Sequence, residues 1–357
     1  MKNITGLILF IILSNISSAE GYWKKIEGID YSVSSVSTQK NSMAVCGSQY
    51  IKIDNKYVVL SYINQSNDGG ATWKCIFDSR NDTLRFNHGR YFSINNVLMK
   101  DRNRIIAYGF NEPLCDSTFR FETTDGGASW SFSPVLDDSA KPLLISQIEM
   151  TNPRIGCCTD RKGRAYSIDD SGRVVRELKG FDREELLIAS ICRPNDSTFV
   201  ILVGQFNATR ILIISSDNGI TWTNQELLHG STRVHFFDEK NGYIIRGEHD
   251  TNNVTYPEML YKTNDGGKTV ELVFMKGTPG SGYLVDFCFD DKNHFRLFGE
   301  KHFYYTNNGG ETWEQDSIVG MDGSVNVGRI CRYNDSIMYY KELSINIWKY
   351  YPGKYTS

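Results

Sequence analysis

One eight-residue pattern recurs five times along the chain, and a turn repeated at near-regular spacing leaves few folds open. The copies are Ser66-Asn-Asp68-Gly-Gly70-Ala-Thr72-Trp73, Thr123-Thr-Asp125-Gly-Gly127-Ala-Ser129-Trp130, Ser215-Ser-Asp217-Asn-Gly219-Ile-Thr221-Trp222, Thr263-Asn-Asp265-Gly-Gly267-Lys-Thr269-Val270 and Thr306-Asn-Asn308-Gly-Gly310-Glu-Thr312-Trp313. The consensus, Ser/Thr-x-Asp-x-Gly-x-Thr/Ser-Trp, reads as a turn between two strands. The third-position carboxylate accepts hydrogen bonds from nearby backbone N–H groups and pins the turn. The fifth-position glycine takes a positive φ without steric cost. The closing tryptophan starts the next strand and has a large apolar surface to bury. Asn308 keeps the acceptor without the charge, and Val270 keeps β-propensity without the ring. A worn sixth copy is read at Ile168-Asp-Asp170-Ser-Gly172, with Asp170 in the third position.

The third positions then fall at 68, 125, 170, 217, 265 and 308, a spacing of 43 to 57 residues. That is the length of a four-stranded propeller blade. A second recurrence supports the same unit: an apolar strand, a polar turn and another apolar strand. Its seven copies begin at Val36, Val97, Ile148, Ile191, Val234, Phe287 and Ile330, and two start almost identically, Ile191-Cys-Arg-Pro-Asn-Asp and Ile330-Cys-Arg-Tyr-Asn-Asp. Trp23-Lys-Lys-Ile26 resembles the strand after the first turn, Trp73-Lys-Cys-Ile76, but has no turn motif before it. Asn346 to Tyr351 resembles a strand leading into one. The expectation is an all-β, single seven-bladed propeller whose N-terminal strand completes the last blade, leaving no long open edge. The propeller occupies residues 20–357, and residues 1–19 form a signal peptide.

That leader rests on Lys2, the apolar run Leu7–Leu13 and the small residues Ser17, Ser18 and Ala19. The run is too short to span a bilayer, so stable membrane insertion is not expected. The mature protein is therefore read as secreted, periplasmic or extracellular. Cysteines there meet oxidising conditions. Of the 8 cysteines, Cys75 and Cys115 are the candidate disulfide.

The composition narrows function by exclusion. There are 39 Lys and Arg against 42 Asp and Glu, a net charge of −3 with no basic stripe, which argues against nucleic acid. No CxxC or His-x-x-His spacing suggests a metal. Gly267-Lys-Thr269 lacks the glycine and helix a phosphate loop needs, and no Gly-x-Ser-x-Gly elbow occurs. No cofactor is expected, and a monomer suffices.

The repeated turns resemble the Asp-box, or BNR, propeller family. The likeness covers Trp23 to about Tyr351. The Asp-Gly-Gly-x-Thr-Trp form is most similar to secreted propellers of the photosystem II stability/assembly-factor type, and more distantly to sialidases. The resemblance implies structural, not catalytic, roles for Asp68, Asp125, Asp170, Asp217, Asp265 and Asn308, and for Trp73, Trp130, Trp222 and Trp313. It also implies a non-catalytic role in assembly or maintenance of an envelope complex, through a protein partner. The alternative is glycan binding or glycoside hydrolysis at the channel mouth. A sialidase needs an arginine trio to clamp a carboxylate, a tyrosine nucleophile and carboxylates. The Phe/Tyr-Arg-Ile-Pro signature of its first arginine is absent, although Arg193, Arg246 and Arg332 fall on the inner hairpins. Long connections near Ile51–Leu60, Asn81–Tyr91, Glu112–Phe119 and His249–Glu258 are expected to carry recognition, with Tyr50, Tyr57, Phe86, Tyr91 and Phe110 as aromatic anchors.

Overall fold

The computed structural model describes residues 22–351 except 54–55, 81–90, 113–115, 151–155, 170, 181–186, 205–209, 228–229, 247–257, 277–283, 300–302, 317–326, 334–336 and 343–346. The leader and Cys115 lie outside the described residues. Among those described there is no helix, and every regular element is a strand.

The strands fall into four-stranded antiparallel sheets with neighbours in chain order. The first sheet holds β2 (Ser32–Gln39), β3 (Ser42–Ile53), β4 (Lys56–Ser66) and β5 (Lys74–Asp78). The second holds β6 (Tyr91–Met99), β7 (Ile105–Glu112), β8 (Thr118–Thr123) and β9 (Ser131–Pro134). The third holds β10 (Ile145–Met150), β11 (Gly156–Asp160), β12 (Ala165–Ile168) and β13 (Val174–Leu178). The fourth holds β14 (Leu187–Cys192), β15 (Phe199–Gly204), β16 (Arg210–Ser215) and β17 (Thr223–Leu227). The fifth holds β18 (Ser231–Phe236), β19 (Gly242–Arg246), β20 (Glu258–Thr263) and β21 (Glu271–Lys276). The sixth holds β22 (Leu284–Phe289), β23 (Phe295–Gly299), β24 (Phe303–Thr306) and β25 (Glu314–Asp316). The seventh draws on both ends of the chain: β26 (Val327–Tyr333), β27 (Ile337–Glu342) and β28 (Ile347–Tyr351) pair in order, and β1 (Tyr22–Ile26) adds beside β28. Trp23 stands opposite Tyr350 in that last pairing.

Position within a sheet decides each strand's pattern. β15 reads Phe-Val-Ile-Leu-Val-Gly and is buried throughout, because neighbouring sheets cover both of its faces. The outer strand β17 reads Thr-Asn-Gln-Glu-Leu and buries only its last residue. The core lies between successive sheets. Between the first and second, Phe77, Phe92 and Trp130 surround the fully buried Phe121, with Phe77 and Phe92 edge-on to it at 5.8 and 5.3 Å. Burying one such ring contributes about 1.5–3 kcal/mol. The ring offset is the geometry that the aromatic quadrupole favours.

The antiparallel order sorts the connections into two ends. Turns between the first and second strands, and between the third and fourth, emerge at one end of every sheet. Connections between the second and third strands, and those leading to the next sheet, emerge at the other. The Asp-boxes therefore share the first end with the inner hairpin turns, and the two are hydrogen-bonded. The fourth box residue donates its N–H to the hairpin turn in every described sheet that carries a full box: Gly69 to Asn41, Gly126 to Asn103, Asn218 to Ser197, Gly266 to Lys240 and Gly309 to Asn293, at 2.7–3.1 Å.

One expectation is corrected here. Ile51–Leu60 is no inserted loop. β3 and β4 pair continuously from Met43–Ser66 to Ile53–Lys56, so the segment is a long hairpin standing out from the first sheet. Its inner partner β2 pairs with β3 only as far as Ser48.

Candidate interaction face

The box carboxylates are consumed inside their own turns. Asp68 Oδ1 accepts the Thr72 N–H at 2.9 Å and the Ser66 hydroxyl at 2.7 Å, while Oδ2 accepts the Thr72 hydroxyl at 2.5 Å. Asp125, Asp217 and Asp265 repeat the set with Thr123 and Ser129, Ser215 and Thr221, and Thr263 and Thr269. In the last box the Oδ1 of Asn308 accepts the Thr312 N–H, and its Nδ2 donates to the Thr312 hydroxyl at 2.8 Å, which reverses that bond's direction. Hydrogen bonds from Thr72 hold the Asp68 carboxyl down at about 2. Hydrogen bonds from Ser129 and Thr221 lower the Asp125 and Asp217 carboxyls below the usual aspartate range, and the Thr269 N–H leads in lowering that of Asp265. Stabilised anions of this kind are poor proton acceptors. The fourth and fifth box residues both have positive φ, which only Asn218 among the five boxes adopts without being glycine.

Box tryptophans clasp the preceding sheet. The Trp130 Nε1 donates to Ile76 O at 2.9 Å, that of Trp222 to Lys179 O at 2.7 Å, and that of Trp313 to Val273 O at 3.0 Å. Two of the acceptors have a local cause: β5 and β21 each carry an irregularity in their pairing, at Ile76 and Val273, which breaks the edge ladder, while Lys179 lies just past the end of β13. β1 pairs regularly with β28. Trp73 packs beside Gly28 in the segment after β1, yet its buried Nε1 finds no acceptor among the described residues.

The third position of the worn copy, Asp170, lies outside the described residues. At this turn Asp169 Oδ1 accepts the N–H groups of Ser171 and Arg173 at 2.8 and 2.9 Å, the same pair of bonds that Asp160 makes to Lys162 and Arg164 in a turn that is not a box. Val174 packs into the interface between the second and third sheets, and Val175 is exposed. Arg120 reaches across that junction to Ser171 O, and the Tyr108 hydroxyl to Gly172 O.

The opposite end is built differently. Tyr50 stands on the projecting hairpin, 71% exposed and opposite Val59 in the pairing. Phe110, at the end of β7, lies beneath the exposed Arg161 guanidinium of the third sheet at 5.6 Å. Arg80 spans Asp78 at 2.6 Å and the Tyr62 ring at 5.6 Å. The first three sheets therefore present aromatic and guanidinium groups together on one face. Tyr57 and Tyr91 lie on strands whose side chains are not described there, and Phe86 lies outside the described residues.

The arginines that a carboxylate clamp would use are otherwise engaged or outside view. Arg193 is buried, stacked at 4.6 Å on Phe199, and donates to Gly156 O of the third sheet and to Asp196 O. It ties sheets together and is not offered to a ligand. Arg246 is half-buried at the end of β19, and the Arg332 side chain is not described. His235, on an inner strand, stacks on Phe289 at 4.4 Å with Phe237 and Phe287 edge-on, and burial pushes its imidazole down to about 4. Cys75 is an exposed thiol that donates to Phe77 O at 3.2 Å. Among the described residues no cluster of His, Cys, Asp and Glu is arranged to hold a metal, and no helix is long and apolar enough to cross a membrane.

No protein-family model matches this sequence, and no curated protein matches it. Solved structures do share the fold. YCF48 bound to D1 peptide superposes with a TM-score of 0.64 at 16% identity, over 94% of this chain and 96% of that one. YCF48 from Cyanidioschyzon merolae gives 0.62 at 15% identity, over 92% and 99%. The C-terminal WD40 domain of Sif2 gives 0.54 at 9% identity, over 93% and 99%. The fold is that of a β-propeller.

Proposed function

We propose that this chain is a non-catalytic β-propeller of seven blades that binds a protein segment on the face opposite its Asp-boxes. The ring closes where β1 completes the sheet of β26, β27 and β28, a reading supported by the position of β26 between β22 and β2. The boxes are structural: their carboxylates are spent on their own turns, so none is left to bind or catalyse. The observation that carries the binding reading is the contrast in surface. One face repeats the same closed turns, while the other gathers Tyr50, the Phe110–Arg161 pair and Arg80 on unequal connections. Aromatic and arginine side chains dominate binding hot spots. That a propeller of this fold, YCF48, has been solved with a D1 peptide bound supports a peptide as the type of ligand.

Export by the 1–19 leader places the protein outside the cytoplasm, with a partner in an envelope complex. The functional reading is tested by crosslinking the purified mature protein to an envelope fraction, alongside Tyr50→Ala and Arg161→Glu variants of unchanged melting temperature. Enrichment of one protein that both variants lose supports it. Equal enrichment by all three would refute it.

A further inference from the structure

We infer that the projecting hairpin of the first sheet receives an extended segment of a partner protein as an added strand, along residues 49–53 of β3. This deepens the face reading above and rests on it. In the other sheets the last residue of the second strand still has a partner on the inner strand: Glu112 stands opposite Tyr91, Asp160 opposite Ile145, Gly204 opposite Leu187, Arg246 opposite Ser231, Gly299 opposite Leu284 and Glu342 opposite Val327. In the first sheet the last such pair is Ser48 with Ser32, and β3 runs on to Ile53. The strand stays regular beyond that point, since its pairing with β4 continues from Ser48–Ser61 to Ile53–Lys56 without a shift. Every second residue of an antiparallel strand turns its N–H and C=O away from its partner. Along residues 49–53 those groups meet no strand among the described residues.

An open edge is a template for another chain, and natural sheets blunt theirs. Here the outer strands β9 and β25 are four and three residues long, and the pairings of β5 and β21 skip Ile76 and Val273. The edge of β3 is neither short nor bulged. It is also accessible: Gln49, Tyr50 and Lys52 are exposed, whereas Val58, Val59 and Leu60 of β4 are buried.

The two faces of β3 set the side chains of the guest. Ile51 packs against the cluster that holds Ile29, Tyr31, Val58 and Leu60, so a guest residue beside it is apolar. Tyr50 and Lys52 point to the opposite face. Lys52 is exposed and makes no ion pair among the described residues, so a guest residue beside it is acidic. The occupant is therefore an extended segment in which apolar and acidic residues alternate. Its backbone bonds supply affinity, and its side chains fix the register.

The probe is acetyl-Thr-Val-Glu-Val-Thr-amide, titrated into the full mature chain and followed by amide NMR and hydrogen exchange. Saturable shifts and slowed exchange are expected at alternate amides within residues 49–53. Two N-methylated isomers, one modified at both valines and the other at the glutamate, keep every side chain. An added strand bonds through alternate residues, so one isomer should bind like the parent and the other about tenfold or more weaker. Lys52→Glu, an exposed change, should move the preference to the peptide with lysine in place of glutamate; an unchanged preference would refute the acidic guest. Equal binding by both isomers would overturn the added strand. So would the absence of shifts within residues 49–53, or amides there that are all protected in the free chain, which would mean that the chain fills its own edge. Shifts on dilution alone would assign the edge to a second copy and overturn the proposal as well. The face reading is decided separately, by whether Tyr50→Ala and Arg161→Glu lose the envelope partner. Loss of capture in both, beside equal binding of the two isomers, would keep the face and refute the strand.

Discussion

The two ends of this molecule obey opposite rules. At the box end, four turns make the same side-chain hydrogen bonds, the fifth at Asn308 reverses one of them, and all five lean on the inner hairpin turn of their own sheet through one backbone bond. At the other end the described groups differ: the first sheet carries a projecting hairpin and an Arg80–Asp78 bridge over Tyr62, and a Phe110–Arg161 pair joins the second sheet to the third. Repetition marks where the fold is held, because identical geometry needs identical side chains. Variation marks where a partner is free to select, because a rigid scaffold tolerates change in what it displays.

The largest expected effect lies within the scaffold. Trp130→Ala removes a ring from the interface around Phe121 and should cost about 3 kcal/mol of stability, read by chemical denaturation. The finer comparison is Trp130→Phe against Trp73→Phe. Both keep a ring, but among the described residues Trp130 has an acceptor for its Nε1 and Trp73 has none, so the loss at Trp130 should exceed that at Trp73 by about 1 kcal/mol. Equal losses would mean that the indole hydrogen bond contributes nothing to the clasp.

Asp217→Ala should lower the melting temperature and leave partner affinity per folded molecule unchanged. Lost binding with unaltered melting would overturn the structural role of the boxes. Acid should act in two windows. His235 is held neutral in the fold, with a midpoint near 4 against an ordinary value of 6.5. The unfolded chain therefore binds more protons between those values, and stability should fall as pH drops from about 6.5 to 4. Replacement by Phe should flatten that part of the curve. The box carboxylates act lower. Asp68, depressed to about 2, contributes stability that is present above the ordinary aspartate range and lost as pH falls towards 2. Carboxyl NMR titration should place its midpoint there.

The smallest effect on folding belongs to the opposite face. Tyr50→Ala and Arg161→Glu should change stability by less than about 0.5 kcal/mol, as exposed substitutions do, while weakening capture of the partner.

Much of this architecture was legible in the residues. Acceptor, hydroxyl and paired positive-φ positions at fixed offsets specify a turn whatever surrounds it. The seven inner hairpins gave the strand pairs, and Trp23-Lys-Lys-Ile26 announced a strand that belongs beside β28. Two features were harder. The strands through Ile51–Leu60 read as an insertion because they add to the repeat, although Tyr50-Ile-Lys-Ile53 and Tyr57-Val-Val-Leu60 are rich in aromatic and β-branched residues. Arg193 shows the second difficulty: a polar residue at the end of an inner strand is placed by the carbonyls that neighbouring sheets leave open, and those are set by tertiary packing. The candidate face was read only as a set of long connections and aromatics. Its pairing of Phe110 with Arg161 joins residues from two sheets, and no local pattern foretells it.

The most direct test sets the two ends of one sheet against each other. A photo-crosslinking amino acid would replace Tyr50 on the projecting hairpin in one protein and the exposed Ala71 of the first box in another. Each would be irradiated with the same envelope fraction, and the adducts identified by mass spectrometry. A specific adduct from position 50 and none from position 71 is the expected result. An adduct from position 71 alone would place recognition on the box face and contradict the division of labour described here.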